Sequence, residues 1–530
     1  MRITHGFHFA RALLALALCA ALGACGGGGG GGGGGQQQTA VISLDHTSLS
    51  FGTQSMGATS PAQLVTVSNV GTATLVVSSV TLGGTNAALF ADTSTCSSVA
   101  PSGNCTISVT FTPNGAGADS ATLSINSNAT VSPFTVMLAG TGEATTANTV
   151  AATIDSGPTV NGAPLGTLNI LFVTVHVCAP GSTTNCQDID HVQVDTGSTG
   201  LRLLSSVLNA NLAAALTPVR TASMAAGHAL IECSQFADGY SWGPVKVVDM
   251  TLGSATVAGL PVHVIGDPTY PSTLAPTACT TSGPSPTEED TVTAFGANGL
   301  IGIGYFLQDC GPNCASDGSA YNDCTPTACV GYFASLAEQL PNPVSLLPSG
   351  SNGVQIQLPT VAEAVDTPVS GTIVFGVGAA AGSLPGNVSV FQVNPGNGTF
   401  TADYASTSFT SSFVDSGSNG WYFPNQAPAI ATCANPDQAF YCPTGGSVQL
   451  SATIHDWMTP THTATVGITL YDFSQFTNST VAASGLGGIL SGSGLTSSFD
   501  FGLPFFFGKN VYVAFENTTL NGAAAPAFAY

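Results

Sequence analysis

From Val41 to about Gly142 apolar and polar residues alternate in short runs, "LVTVSNV", "TLVVSSVTL", "CTISVTFTP", "ATLSINS" and "FTVMLAGTG", with Gly, Asn and Pro between them. A period of two over segments of this length predicts half-buried strands, and the turn spacing predicts one small β-sandwich over residues 41–143. The polar stretch "EATTANT" at 143–149 reads as a linker. Beyond it the pattern stays mainly β, and "GYFASLAEQL" at 331–340 offers the best helical period. The order of events then repeats. "LNILFVTVHVC" leads to "VDTGSTGLRL" and on to "NGLIGIGYF"; "GTIVFGVG" leads to "VDSGSNGWYF" and on to "FDFGLPFFFGKNVYVAF". Two lobes of similar plan follow, 150–350 and 351–530.

The first residues break this pattern. Arg2 and Arg11 precede an apolar stretch from Ala12 to Leu22, and "LGAC" follows. The segment resembles a bacterial lipoprotein signal, which implies removal of residues 1–24 and a lipid on Cys25. The Gly- and Gln-rich residues 25–40 would be a flexible tether. Gly26 stands where an Asp commonly retains lipoproteins in the inner membrane, so the resemblance implies outer-membrane sorting within the cell envelope, periplasmic or surface-exposed. No later run is long and apolar enough to span a bilayer.

Composition narrows the reading. Hydrophobic residues make up 44% of the 530, ample for buried cores, while charged residues make up only 6%; Ser, Thr, Asn and Gly must cover the surface. Without the signal, 4 basic residues face 28 acidic ones, a net charge of −24, which excludes nucleic acid as a partner. Of 14 cysteines, Cys19 lies in the signal and Cys25 takes the lipid. The remaining twelve suit six disulfides in an oxidising compartment. Short loops suggest Cys96 with Cys105, Cys178 with Cys186, and Cys433 with Cys442; the pairing of Cys233, Cys279, Cys310, Cys314, Cys324 and Cys329 stays open.

The repeated turns carry the candidate chemistry. Each puts an Asp at the end of a strand, followed by Thr or Ser, then Gly, then Ser. The Gly permits close backbone approach, and backbone N–H groups can bond the carboxylate. Two such turns brought together would hold two carboxyls that cannot both ionise, so the pair would share one proton, able to activate water and protonate a carbonyl or leaving amine. "IDSGPTV" supplies a control: Asp155 sits in the same tripeptide, but Pro158 replaces the Ser and no crossing run is left to partner it, so it reads as a turn.

On these residues the region 150–530 resembles the pepsin-like, two-lobed aspartic peptidases. The resemblance implies a catalytic dyad of Asp195 and Asp415. It implies that Thr196 and Ser416 lock the turns together beside Gly197 and Gly417, and that Ser198 and Ser418 bond the two carboxylates. Leu300, Ile301 and Gly302 match the first strand crossing beneath a turn, and Asp500, Phe501 and Gly502 the second. The sandwich, through "LSFGTQSMGATSPAQLVTVSNVGTATLVVSSVTL", resembles the immunoglobulin-like domains named for ASPM, SPD-2 and Hydin, modules that space or bind. The fold expected is therefore mainly β, an Ig-like sandwich followed by a bilobal pepsin-like body.

Several residues depart from the pepsin pattern. "QFADGYSWGPV" puts Phe236 where the flap Tyr is usual, with Tyr240 and Trp242 nearby. Arg202 replaces a Trp, Asp500 replaces an apolar residue, and only the Ig-like domain precedes Asp195 in place of a basic pro-segment. Other chemistries find little support: there is no His-Glu-x-x-His, no Cys-x-x-Cys and no Gly-x-Ser-x-Gly, so neither metal nor cofactor is expected. "CASDGSAYNDC", with Asp317 and Asp323, reads as a disulfide-closed surface loop rather than a calcium site. The phenylalanines of "FDFGLPFFFG" read as core, and Arg202 as either a surface cation or a clamp for a substrate carboxylate. The expectation is a lipid-anchored aspartic-type endopeptidase acting on peptide or protein substrates, with an inactive pepsin-fold binding protein as the rival; oligomeric state is open.

Overall fold

The computed structural model describes residues 38–55, 59–115, 117–143, 148–281, 286–377, 384, 388–490 and 495–530. Residues 1–37, where the signal, the lipidated Cys25 and most of the tether are expected, lie outside these residues. The chain forms two compact units, one drawn from the residues up to Ala139 and the other dominated by Gly140–Tyr530. Among the described residues no helix is long and apolar enough to cross a membrane.

In the first unit the alternating pattern becomes two facing sheets. One has four strands, in the order Ile42–Leu44, Gln63–Asn69, Asn104–Phe111, Phe90–Ser94. The other has five, in the order Ser48–Ser55, Phe134–Glu143, Gly117–Ser127, Leu75–Gly83, Ser98–Val99. Leu64 is exposed while Val65 and Val67 are buried, as a period of two requires. Ile107, Val109, Leu123 and Ile125 meet them in a core that also holds the ring cluster of Phe51, Phe90 and Phe111. This is the Ig-like sandwich.

The second unit is also mainly β, built on a 15-stranded and a 7-stranded sheet. Thr149–Ile154 pairs on one side with Leu171–Cys178 of the first lobe and on the other with Val369–Phe375 of the second, so one continuous sheet underlies both lobes. Each lobe carries the same crossing device. Cys186–Asp195 runs parallel to Gly299–Ile303, which also pairs antiparallel with Thr199–Leu204; Thr407–Val414 runs parallel to Asp500–Phe501, which pairs antiparallel with Trp421–Phe423. The registers Val194↔Ile301 and Val414↔Phe501 make Leu300 and Asp500 equivalent positions. By Leu201↔Ile301 and Trp421↔Phe501, Arg202 and Tyr422 are equivalent too. The fold is thus the bilobal one expected. Phe499, Phe501, Phe505 and Phe506 are buried in its core.

Three expectations are corrected. "GYFASLAEQL" does not form a helix: Gly331 ends the Ala328–Gly331 strand, and a single 3-10 turn at Leu336–Glu338 is capped reciprocally by Ser335 and Glu338. Pro341 favours an extended conformation for the residue before it, which ends the turn. "CASDGSAYNDC" is not closed by its own ends, because Cys314 bonds Cys310 and Cys324 bonds Cys329. In that loop Asp323 pairs with His228 at 2.7 Å and Asp317 accepts the Ser319 N–H. Arg202 is neither a surface cation nor free for a substrate, as described below. The three short-loop disulfides form as expected, and Cys233 bonds Cys279.

Candidate active site

The two Asp turns meet where the lobes join. At each, the carboxylate Oδ1 accepts a backbone N–H two residues on, Gly197 to Asp195 at 2.7 Å and Gly417 to Asp415 at 2.8 Å. The Ser198 hydroxyl donates to Asp195 Oδ2, and the Ser418 hydroxyl to Asp415 Oδ2 at 3.0 Å. The glycines are required by proximity. A Cβ on Gly197 would lie 2.8 Å from the Asp415 carboxyl, and one on Gly417 2.7 Å from Asp195 Oδ1, distances that real side chains do not show. Asp155, the control, bonds the Gly157 N–H in the same local way but faces His191 at 3.3 Å, so the tripeptide alone makes a turn and not a pair.

Beneath the carboxyls the turns grip each other. The Ser416 N–H donates to Thr196 Oγ1 at 2.9 Å and the Thr196 N–H to Ser416 Oγ at 3.1 Å. Each hydroxyl then donates across to the opposite strand, Ser416 to the Val194 carbonyl at 2.9 Å and Thr196 to the Val414 carbonyl at 3.3 Å. Four buried hydrogen bonds thus set the separation of the two carboxylates. Gly302 and Gly502 let the crossing strands slide under the turns: a Cβ on Gly302 would lie 2.6 Å from Thr199 N, and one on Gly502 2.1 Å from the Gly420 carbonyl.

The electrostatics of the pair are those of close like charges. The Asp415 carboxyl lies in the field of Asp195, and two close, buried carboxylates cannot both ionise, so the pair favours one shared proton. Burial first, then Asp195 and Asp500, hold the Asp415 carboxyl well above the usual carboxylate range. Asp500, on the second crossing strand, is 3% exposed and is held well above the usual carboxylate range mainly by burial. Its Oδ1 has no hydrogen-bond partner.

The carboxyls open into a cleft of about 570 Å³, bounded on one side by the turn between the Ala229–Gln235 and Tyr240–Leu252 strands. Of the three flap candidates Phe236 lines the cleft. Tyr240 and Trp242 do not: both are buried in a small core with Tyr270 and Cys279, and the Trp242 indole N–H donates to the Tyr270 carbonyl. Strand alternation explains the difference, since Phe236 lies in the turn and the other two on the inner face of the following strand. Arg202, 4% exposed, donates to Glu232 at 2.6 Å, Ser234 at 2.7 Å and the Thr199 carbonyl at 2.7 Å, with Asp309 at 3.4 Å. Its guanidinium stands 5.9 Å from the Phe236 ring. It braces the hairpin from behind.

Two cleft residues were not singled out from the sequence. Asp238, at the hairpin tip, and Glu289, from the run "TEEDTV", both line the cleft; Glu289 lies in the field of Asp238, and a Cβ on Gly239 would meet the Glu289 carboxyl at 2.6 Å. The acidic run and the Asp inside the quoted hairpin were visible, but nothing local to either joined them. The backbone straps the two segments as well, with the Tyr240 N–H on the Thr287 carbonyl at 2.8 Å and the Glu289 N–H on the Tyr240 carbonyl at 2.9 Å. Burial, then Asp238, pushes Glu289 up to about 8 from an ordinary 4.5. The folded protein therefore holds a proton that the unfolded chain releases, and stability is lost as pH rises from about 4.5 to about 8. The thermal midpoint should fall across that window, and Glu289→Gln, which is neutral at every pH, should reduce the slope. Equal slopes in the two proteins would refute the assignment.

Known structures and families add the following. An aspartic proteinase from Irpex lacteus is 16% identical, the match covering 72% of this chain and 96% of that one with a TM-score of 0.41. A protein of unknown function from Porphyromonas gingivalis W83 is 22% identical over 20% of this chain and 47% of that one, less than half its length, with a TM-score of 0.18. The VesB protease of Vibrio cholerae is 14% identical over 19% and 31%, with a TM-score of 0.16. No curated protein matches the chain. The model of the ASPM-SPD-2-Hydin domain matches residues 40–134. A second family model matches residues 144–530, most of the chain, and the protein accordingly belongs to the family described as "Protein of unknown function (DUF3443)".

Proposed function

We propose that this protein is an aspartic-type endopeptidase. The observation that carries the reading is the pair of close carboxyls, Asp195 and Asp415, held by two locked turns at the floor of an open cleft. In the reaction, a water between the carboxyls attacks the carbonyl carbon of an extended peptide. Asp195 takes the water proton as the C–O bond forms, and Asp415 gives its proton to the carbonyl oxygen. Collapse of the tetrahedral species returns a proton to the nitrogen as the C–N bond breaks. Because one carboxyl must stay protonated, activity should favour acid pH and fall as pH rises through the raised range of Asp415.

The Ig-like unit serves in this reading as a spacer, and Cys25 as a lipid anchor in the bacterial cell envelope, at the outer membrane. The six disulfides fit that oxidising setting. A second reading, a cleft that binds peptide without cleaving it, is favoured by Phe236, which brings no hydroxyl to the flap.

Hydrolysis of a mixed peptide library by the mature protein between pH 3 and 7 tests the proposal, with a statine-type inhibitor as control. Acid-favoured cleavage, blocked by the inhibitor, is expected. A folded protein that neither cleaves nor binds the inhibitor, or a rate that climbs steadily to pH 9, would overturn it.

A further inference from the structure

Five carboxyl groups line the one cleft: Asp195, Asp415, Asp500, Asp238 and Glu289. No Lys, Arg or His is among its described lining residues. The dyad accounts for two of the five. Asp500 occupies the position that Leu300 holds in the other lobe, and both face the same cleft. A buried carboxyl oxygen without a partner is costly, and Asp500 Oδ1 is one. Asp238 and Glu289 line the same cleft, as does Tyr422. The Tyr422 hydroxyl lies in the field of both Asp500 and Asp238, and Glu289 lies in the field of Asp238.

A metal ion is a poor occupant of this group. Among the described residues no three of these carboxylates bring their oxygens within 4.8 Å of one another. An extended organic cation has no such requirement: it reaches in on a flexible stem, finds a low-dielectric site that is already desolvated, and supplies the donors that Asp500 lacks.

Resting on the reading of the cleft as a peptide site, we propose that its Asp500 end is a subsite for a cationic side chain, lysine or arginine, of the bound peptide. Asp500 is the specificity-determining carboxylate, and Asp238 and Glu289 enclose the cation from the hairpin side. Protons compete for the same place. The titratable groups facing Asp500 are Asp195, Asp415 and Tyr422, and Glu289 faces Asp238; the raised carboxyls carry protons at acid pH, so cation binding releases protons to the buffer. Preference for a basic residue therefore grows as pH rises, while dyad turnover declines.

Calorimetry with matched octapeptides, lysine or norleucine placed at each position in turn, tests this on the wild type and on an Asp195→Asn/Asp415→Asn variant. At one position lysine should bind about tenfold or more tighter than norleucine at pH 7, with proton release and a smaller advantage at pH 4. Asp500→Leu should remove the advantage and keep norleucine binding. If that variant does not fold, Asp238→Asn and Glu289→Gln should each narrow the ratio. Norleucine binding as well as lysine at every position would overturn the subsite, as would a lysine preference untouched by Asp500→Leu. Cleavage without lysine preference would leave the peptidase standing and sink this inference. Lysine preference in a protein that never cleaves would do the reverse, and binding of neither series would overturn both.

Discussion

Replacing Asp415 by asparagine should lower kcat/KM for a cleaved peptide at pH 4 by roughly 10³-fold or more, with the protein still folded. Asparagine is nearly isosteric: its Oδ1 can still accept the Gly417 N–H, and its amide nitrogen, in the place of Oδ2, can donate to the Ser418 hydroxyl oxygen. It cannot give a proton to a carbonyl oxygen at accessible pH. Asp195→Asn should fail to the same extent for the complementary reason, because an amide cannot take a proton from water. Stability should move the other way: removing one of two close carboxyls relieves repulsion that burial intensifies, so the thermal midpoint of either variant at pH 7 should rise. Asp155→Asn is the internal control, since it alters the same tripeptide at a turn outside the cleft and should leave the rate unchanged. A loss below tenfold in either dyad variant would remove the dyad from the chemistry.

Arg202→Met should cost about 3–5 kcal/mol of folding stability at pH 7. Arg202 is the cation that faces Glu232 and Asp309, both almost fully buried. Glu232 is held below the usual range, with burial opposing and Arg202 and then His263 lowering it, whereas Asp309 is raised by burial and by Glu232. Removing the guanidinium leaves Glu232 a buried charge answered only by His263 at 3.1 Å. The sign with pH follows. A depressed carboxyl contributes stability above its unfolded value, near 4.5, and that contribution is lost as pH falls. The penalty of Arg202→Met should therefore be smaller at pH 4 than at pH 7, as denaturant titrations would measure. Adding Glu232→Gln and Asp309→Asn to Arg202→Met should recover much of the loss. A cost under about 1 kcal/mol at pH 7 would show that the cluster is not a brace. Because the guanidinium also backs the Phe236 ring, the single variant should loosen the hairpin that covers the cleft.

Much of the candidate site was legible in the sequence. Strand alternation is local, so the sandwich and the β character of both lobes follow from runs of seven to nine residues. The paired turns were legible because they recur with the same neighbours, and Thr196, Gly197, Ser198 and their counterparts Ser416, Gly417 and Ser418 make the contacts that their residue types allow. The disulfides Cys96–Cys105, Cys178–Cys186 and Cys433–Cys442 were legible because each pair stands apart from other cysteines; the still shorter Cys310–Cys314 and Cys324–Cys329 were not, because cysteines crowded together offer several pairings.

What the chain's order does not carry is which side chains lose water together. Tyr240 and Trp242 have the composition of a flap, but the strand's alternation turns them into a separate core. Arg202 reads as a rare surface cation until the sheet buries it against Glu232 and Asp309. The "GYFASLAEQL" period is undone by a neighbouring strand at Gly331 and by Pro341. Asp238, Glu289 and Asp500 come from three distant segments, and no periodicity links them. The sequence by itself determined the two turns, the strands that present them and the strongly acidic balance, because each depends on adjacent residues or on simple counting. Only the tertiary structure decided which carboxyls share the cleft, because desolvation and like-charge proximity arise when crossing strands bring remote segments within a few ångströms.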